Sequence, residues 1–367
     1  MKSESELLQQ IDRTCVRYRG RKLSYFSGCD YFRLSSHPAV LRAAESGLRQ
    51  FGLNVAASRV TTGNHPIYPK LERELARFFK AEDALLISTG YLTNLVVAQA
   101  LAGSFSHVLI DERAHPSLQD AALYFDGPVL RFKHREATAV KQSVARCGKH
   151  ARIILLTDGV FAHDGTCAPL REYLKALPRD GKILVDDAHG AGVVGKTGKG
   201  TLEETNAGRN RIIQCLTLSK AFGVYGGAVL GTRKLRERIL ARSRLFAGST
   251  PFPLPLANAA LKSVELLRTG RTFRRRLLAS MKFVRTGLER AGLVLPDAPA
   301  PIVPLVVSDK RKQTEMKRQL LGAGIFPPFI KYPGGPAGGY FRFALSSEHS
   351  QEQLKKLVEV LARFGRH

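Results

Sequence analysis

The 367-residue chain is predicted to be an α/β protein with a large, mainly parallel sheet flanked by helices and a smaller C-terminal α/β domain. Two observations lead there. From about residue 70 to residue 232, short runs rich in Val, Ile and Leu alternate with helical segments, and their lack of clean alternation suits strands buried on both faces. Beyond roughly residue 260 the texture changes to long basic amphipathic helices and two short apolar runs. With 44% hydrophobic side chains spread evenly, the length suffices for two domains.

In chain order, "PKLERELARFF" places Leu71, Leu75, Phe78 and Phe79 on one helical face. Strands are expected at "ALLIST", "HVLID", "PVLRF", "RIILLTD", "KILVDDA", "IIQCLTLS" and "GGAVLGT". The second domain holds "APIVPLVV", the Pro/Gly-rich "FPPFIKYPGGPAGGY" and "FRFALS", and closes with a helix carrying Leu354, Leu357, Val358 and Leu361 on one face. The predicted division is an N-terminal segment over 1–28, a large domain over 29–260 and a small domain over 261–367, with no internal repeat.

No apolar run is long enough to cross a bilayer, and the acidic start "MKSESELLQQ" does not resemble a signal peptide, so the cytoplasm is expected. Cys15, Cys29, Cys147, Cys167 and Cys215 are scattered without metal-ligand spacing, which predicts reduced thiols and no metal. The net charge of +26 is the outlier. It raises nucleic acid, an anionic membrane and phosphate-bearing substrates as partners without selecting one. The basic segments Arg268 to Lys282 and Ser308 to Gln319 also carry apolar residues at helical spacing, so solvated helix faces explain them better than an anionic partner does.

In "KILVDDAHGAGVVGKTGKG", Asp186 ends a strand, with Asp187, His189 and a glycine-rich loop after it. Ligands bind at the carboxyl ends of such strands, although a capped βα turn uses the same residues. Thirty-four residues on, "LTLSKAFGVYGG" sets Thr217, Ser219 and Lys220 at the same sheet edge. A desolvated amine there is nucleophilic, whereas a loop lysine in water is not. Together, Asp186 and Lys220 suggest pyridoxal phosphate (PLP), whose aldehyde takes a lysine and whose ring nitrogen takes a carboxylate. "STGYLTN", a strand followed by a glycine turn and a helix start, suits its phosphate. His115 in "DERAHPSL" fits either a ring-stacking role or a helix start beside Pro116.

These motifs, with "SRVTTG", "TDGVFAHDG" and "FRFALSSEHS", resemble the α-oxoamine synthase family of fold-type I PLP enzymes over nearly the whole chain. The resemblance implies a homodimer with active sites at the subunit interface. It implies Lys220 as the Schiff-base lysine, Asp186 as the partner of the pyridine nitrogen, His189 near the phenolic oxygen and His115 stacked on the ring. Gly90, Tyr91 and Thr217 correspond to phosphate contacts, with Ser249 or Thr250 reaching the phosphate from the neighbouring subunit. Arg342 corresponds to the arginine that grips the amino-acid carboxylate. The implied reaction is a decarboxylating condensation of a small amino acid, alanine first, with an acyl thioester such as a pimeloyl group on coenzyme A or on acyl carrier protein.

The sequence departs from that family near the site. Cys29 replaces an asparagine, Ala56 and Ala57 replace glycines, Tyr68 stands for a histidine and Ala162 for a serine. Cys29 and Tyr68 are therefore expected beside the substrate. A synthase using glycine or serine with another acyl-CoA, and an aminotransferase or lyase of the same fold, are the rival enzyme readings. A basic protein binding nucleic acid or membrane is the non-enzyme rival, and no nucleic-acid motif supports it.

Overall fold

The computed structural model describes residues 7–331 and 335–365. Tyr332, Pro333 and Gly334, in the predicted Pro/Gly-rich stretch, lie outside the described residues. Three strands, β1 (Gln9–Gln10), β2 (Cys15–Tyr18) and β3 (Arg21–Ser24), form a small antiparallel sheet within the predicted N-terminal segment. The sequence reading assigned no strands there.

The central sheet takes β4 (Asp83–Ile87), β5 (His107–Asp111), β6 (Val129–Phe132), β7 (Ile153–Asp158), β8 (Lys182–Asp186), β9 (Ile212–Thr217) and β10 (Gly227–Gly231). Their spatial order is β4-β10-β9-β8-β7-β5-β6, parallel from β9 to β6, with β10 antiparallel to both neighbours. Each of the seven predicted runs is one of these strands. Successive side chains bury against opposite layers of helices: Ile154, Leu156 and Leu184 enter one core, while Ile153, Leu155, Ile183 and Val185 enter another. Both faces are thus covered, and for this reason the strands read as continuous apolar runs rather than as alternation.

Helix α1 (Pro38–Phe51) and helix α2 (Ile67–Phe79) pack with the helix Leu254–Thr269 on one side. Leu71, Leu75, Phe78 and Phe79 are buried as the spacing requires. On the other side lies α3 (Gly90–Leu101), whose start is fixed by the Thr89 side chain accepting from the Leu92 amide. It contacts α4 (Pro116–Ala122). Residue 260, the predicted domain boundary, falls inside the helix Leu254–Thr269.

The C-terminal sheet is antiparallel, with β13 (Tyr340–Ala344) between β11 (Ile302–Leu305) and β12 (Phe329–Ile330). Phe341 and Phe343 are fully buried, and the alternation of the strand turns Arg342 between them to the opposite face. The N-terminal segment joins this part by the Ser24–Ile325 bridge and by the Ala344 amide donating to the Phe26 carbonyl at 2.9 Å. The two basic segments fall largely in helices Arg271–Arg290 and Lys310–Gly322, which bury Leu277, Met281, Val284, Met316 and Leu320. Among the described residues, no helix is long and apolar enough to cross a membrane.

Candidate active site

The carboxyl ends of β7, β8 and β9 and the start of α3 enclose a cavity of about 290 Å³. It is lined by Gly90, Tyr91, His115, Asp186, His189, Thr217 and Lys220 among others. These seven predicted residues, scattered over 131 positions of sequence, therefore share one space. Strand register explains the grouping, because Asp158 pairs with Asp186 and Asp186 with Cys215, two residues before Thr217.

Asp186 is nearly buried and braced on three sides. Its Oδ2 accepts from Asn94 Nδ2 at 2.7 Å and from Ser117 Oγ at 3.2 Å, and its Oδ1 accepts from the Ala188 amide at 3.1 Å. Ser117 Oγ also lies 2.8 Å from His115 Nδ1, so the histidine and the carboxylate are tied through one hydroxyl. His115 is at once the N-cap of α4, its Nδ1 accepting from the Ser117 amide, and a wall of the cavity. The helix-start reading of this residue is seen directly, and its ring faces the cavity. Burial lowers its basicity.

Lys220 Nζ stands 2.8 Å from His189 Nε2, and His189 Nδ1 stands 2.7 Å from the Tyr31 hydroxyl. Burial pushes both down in pKa, His189 well below its usual range with Lys220 and Arg342 adding to the effect. A neutral imidazole and an amine that sheds its proton more readily than a surface lysine are the result. Asp158 is pushed the other way, its pKa raised well above the carboxylate range by burial and by the neighbouring Asp186. Its Oδ2 accepts from the His115 amide at 2.8 Å.

Gly90 has no room for a side chain: a Cβ there would fall 2.6 Å from both Cβ and Oγ1 of Thr217. Its own amide and that of Tyr91 begin α3, where helix N–H groups have no partner within the helix and favour an anion. The Tyr91 hydroxyl donates to Asp120 at the rim. An amine, a braced carboxylate and an anion-binding helix start around one cavity match the aldehyde, ring nitrogen and phosphate of PLP, so the residues present fit that group.

Arg342 reaches from the C-terminal sheet, its Nη1 donating to the Ala162 carbonyl at 3.2 Å and its Nη2 to Cys29 Sγ at 3.5 Å. The Arg342 guanidinium is also among the charges that lower the basicity of Lys220. Tyr68 is placed differently from expectation. It is fully buried in α2, its hydroxyl donates to the Phe252 carbonyl at 2.6 Å, and Arg59 lies over its ring at 5.0 Å. Tyr68, Ser249 and Thr250 line a separate crevice and not the Lys220 cavity of their own chain. Tyr31, Asn94, Ser117 and Asp158 were missed by the sequence reading. Asn94, Ser117 and Asp158 lie inside the motifs given above, so their position was a signal, but only the folded register shows which atoms they touch.

Fold and site together define a PLP-dependent transferase of fold type I. Residues 28–361 match the model of aminotransferase class I and II, and the chain belongs to that family. Within it, the chain is an acyltransferase of the α-oxoamine synthase kind. It is 38% identical to an 8-amino-7-oxononanoate synthase of Methylococcus capsulatus, over 92% of this chain and 88% of that one. It is 36% identical to one of Thioalkalivibrio sulfidiphilus, over 95% and 89%. A solved serine palmitoyltransferase from S. paucimobilis, with a bound PLP-myriocin aldimine, superposes with a TM-score of 0.91 at 25% identity, covering 99% of this chain and 92% of that one.

Proposed function

We propose that this chain condenses alanine with a pimeloyl thioester, on coenzyme A or on a carrier protein, giving an α-amino ketone for biotin synthesis with release of carbon dioxide and the thiol. The names of its relatives support the reading. The observation that carries it is the position of Arg342, a planar two-pronged donor beside the Lys220 and His189 pair.

When bound, PLP supplies an electrophilic carbon for the amino group and a sink for negative charge at the α-carbon. Asp186, held by Asn94, Ser117 and the Ala188 amide, keeps the proton on the ring nitrogen. The α-helix start at Gly90 and Tyr91, with Thr217, takes the phosphate. Arg342 fixes the amino-acid carboxylate, and the neutral amine of Lys220 removes the α-proton. A Lys220 amine donating to His189 Nε2 puts the imidazole proton on Nδ1, where the Tyr31 oxygen accepts it. The ring is thereby held in one orientation beside the reacting carbon. The α-carbon bonds to the thioester carbonyl as the carbon–sulfur bond breaks, the carboxylate leaves as carbon dioxide, and the α-carbon takes back the proton held by Lys220.

The enzyme is a cytoplasmic homodimer in this reading. Ser249 and Thr250, outside the cavity of their own chain, reach the phosphate of a second copy. The site lies where the large domain meets the small one, divided near residue 260. A second reading pairs serine or glycine with another acyl-CoA, favoured by the Cys29 contact to Arg342, which alters the wall facing the amino acid.

Mixing the holoenzyme with alanine and pimeloyl-CoA, and titrating the thiol released, tests the first reading. Serine or glycine outperforming alanine selects the second. No release with any small amino acid across a panel of acyl thioesters overturns both. Arg342→Lys is expected to raise KM for the amino acid about tenfold or more while the cofactor stays bound.

A further inference from the structure

A cavity larger than the one beside Lys220 lies elsewhere in the molecule. It measures about 470 Å³ and lies at the other edge of the central sheet, where β8 and β9 begin and β10 ends, lined by Lys182, Ile212 and Gly231. A strand of five residues separates the two edges by about 17 Å. The substrate cavity and this one are therefore distinct.

Six cations line it, Lys80, Lys182, Arg209, Arg211, Lys234 and Arg238, against the single carboxylate of Glu82. The three arginines are braced by protein carbonyls: Arg209 on Phe79 at 2.9 Å, Arg211 on Pro178 at 2.6 Å and Arg238 on Ala100 at 2.8 Å. Bracing fixes the direction of their charge without neutralising it. Nη1 of Arg209 is buried and has no hydrogen-bond partner. The three lysines are exposed, and none has an ion-pair partner among the described residues. Six like charges around one depression repel one another, so the arrangement is most stable with an anion between them. A ten-residue helix, Arg233–Arg242, starts at the same mouth and adds the positive end of its dipole.

The floor has a different character. Ile212, Ile213, Leu235 and Leu101 are buried hydrophobic residues that contribute apolar surface. A bare phosphate would leave that surface wet, whereas a flat heterocycle covers it. We propose that this cavity binds a nucleoside di- or triphosphate, with the base against Ile212, Ile213 and Leu235 and the phosphates among Lys182, Lys234 and Arg209. The site is independent of the condensation reaction, and it gives part of the +26 charge a local purpose.

Equilibrium dialysis of the PLP-loaded enzyme against ADP, pyrophosphate and adenosine tests it. One ADP is expected per chain, bound more tightly than either pyrophosphate or adenosine. In Lys182→Glu/Lys234→Glu the ADP affinity is expected to fall by about tenfold or more, since each lost charged contact is worth roughly that factor. Lys182→Gln/Lys234→Gln, a milder change at the same exposed positions, is expected to lose part of it. Both variants should keep the cofactor absorbance and the thiol-releasing activity of the parent, which reports that they are folded. ADP affinity that is undetectable at millimolar concentration in the parent, unchanged in both variants, or matched by pyrophosphate or by adenosine overturns the proposal. Because activity is read separately, a failed nucleotide site and a failed synthase reading give different results.

Discussion

Lys220 Nζ and His189 Nε2 are 2.8 Å apart, and the same imidazole meets the Tyr31 hydroxyl at 2.7 Å through its other nitrogen. A lysine in water has no such constraint. Here burial lowers the pKa of the amine and holds the imidazole neutral, so the amine gives up its proton more readily than a surface lysine does. Lys220→Ala is expected to abolish turnover and to leave no cofactor attached to the chain after borohydride reduction. His189→Asn is expected to keep the attached cofactor and to lower kcat by about 100-fold. An attached cofactor in the Lys220 variant, measured by mass spectrometry of the reduced protein, sinks the assignment.

Why Lys220 was legible and its setting was not follows from the chain itself. Strand ends are visible locally, because an apolar run stops where "VDDAH" and "LSKAFG" begin. Parallel neighbours must then end at a common edge, so Asp186 and Lys220 meet without any further knowledge. The bracing of Asp186 by Asn94, 92 residues earlier, depends on how α3 lies against the sheet, which no local pattern encodes. β1 to β3 escaped notice for a related reason. The four-residue β2 and β3 each pair over a few positions and carry Arg or Lys beside the apolar residues, so neither run looks like a strand.

Tyr68 shows the limit of carrying a role across by alignment. Its hydroxyl spends its hydrogen bond on the Phe252 carbonyl and its ring lies under Arg59. In this chain that position joins α2 to the segment bearing Ser249 and Thr250, which is a packing task as seen within one copy.

Asp158 and Asp186 stand side by side on β7 and β8, and the two carboxyl groups have opposite tasks. Burial and the proximity of Asp186 hold Asp158 well above the usual carboxylate range, which favours its protonated form. Asp158→Asn, which keeps the acceptor for the His115 amide, is expected to hold kcat within about threefold. Asp186→Asn removes the charge that faces the ring nitrogen and is expected to lower kcat by about 100-fold or more. Equal losses in steady-state rates of the two variants would show that both carboxylates are ionised.

Ala56 adopts a φ of 50°, the left-handed region, in the stretch where the resembled family has glycines. A Cβ in that region costs about 1–2 kcal/mol, and restoring glycine gives back part of it to the freedom of the unfolded chain. Ala56→Gly is expected to stabilise the protein by about 0.5–1 kcal/mol in urea unfolding. Loss of stability in that variant would mean the segment relaxes to negative φ in solution.

Glu72 in α2 is nearly fully buried, yet it anchors two cations and a strand. Its Oε1 accepts from Arg59 at 2.5 Å and from the Leu86 amide of β4 at 2.9 Å, and its Oε2 pairs with Arg236 at 2.9 Å. Burial raises its pKa, but Arg59 and Arg236 outweigh that and hold it below the ordinary value of 4.5. Removing it leaves Arg59 buried and unpaired, so Glu72→Ala is expected to cost about 3–5 kcal/mol. The sign with pH is fixed by the direction of the shift. A depressed carboxylate contributes its stability above the unfolded value of 4.5, and that contribution is lost as pH falls through the lower folded value. The stability gap between the parent and Glu72→Gln is thus expected to be constant at neutral pH and to narrow below about 4.5. Urea unfolding of both proteins across that window measures it, and a gap that widens on acidification contradicts the ion-pair account.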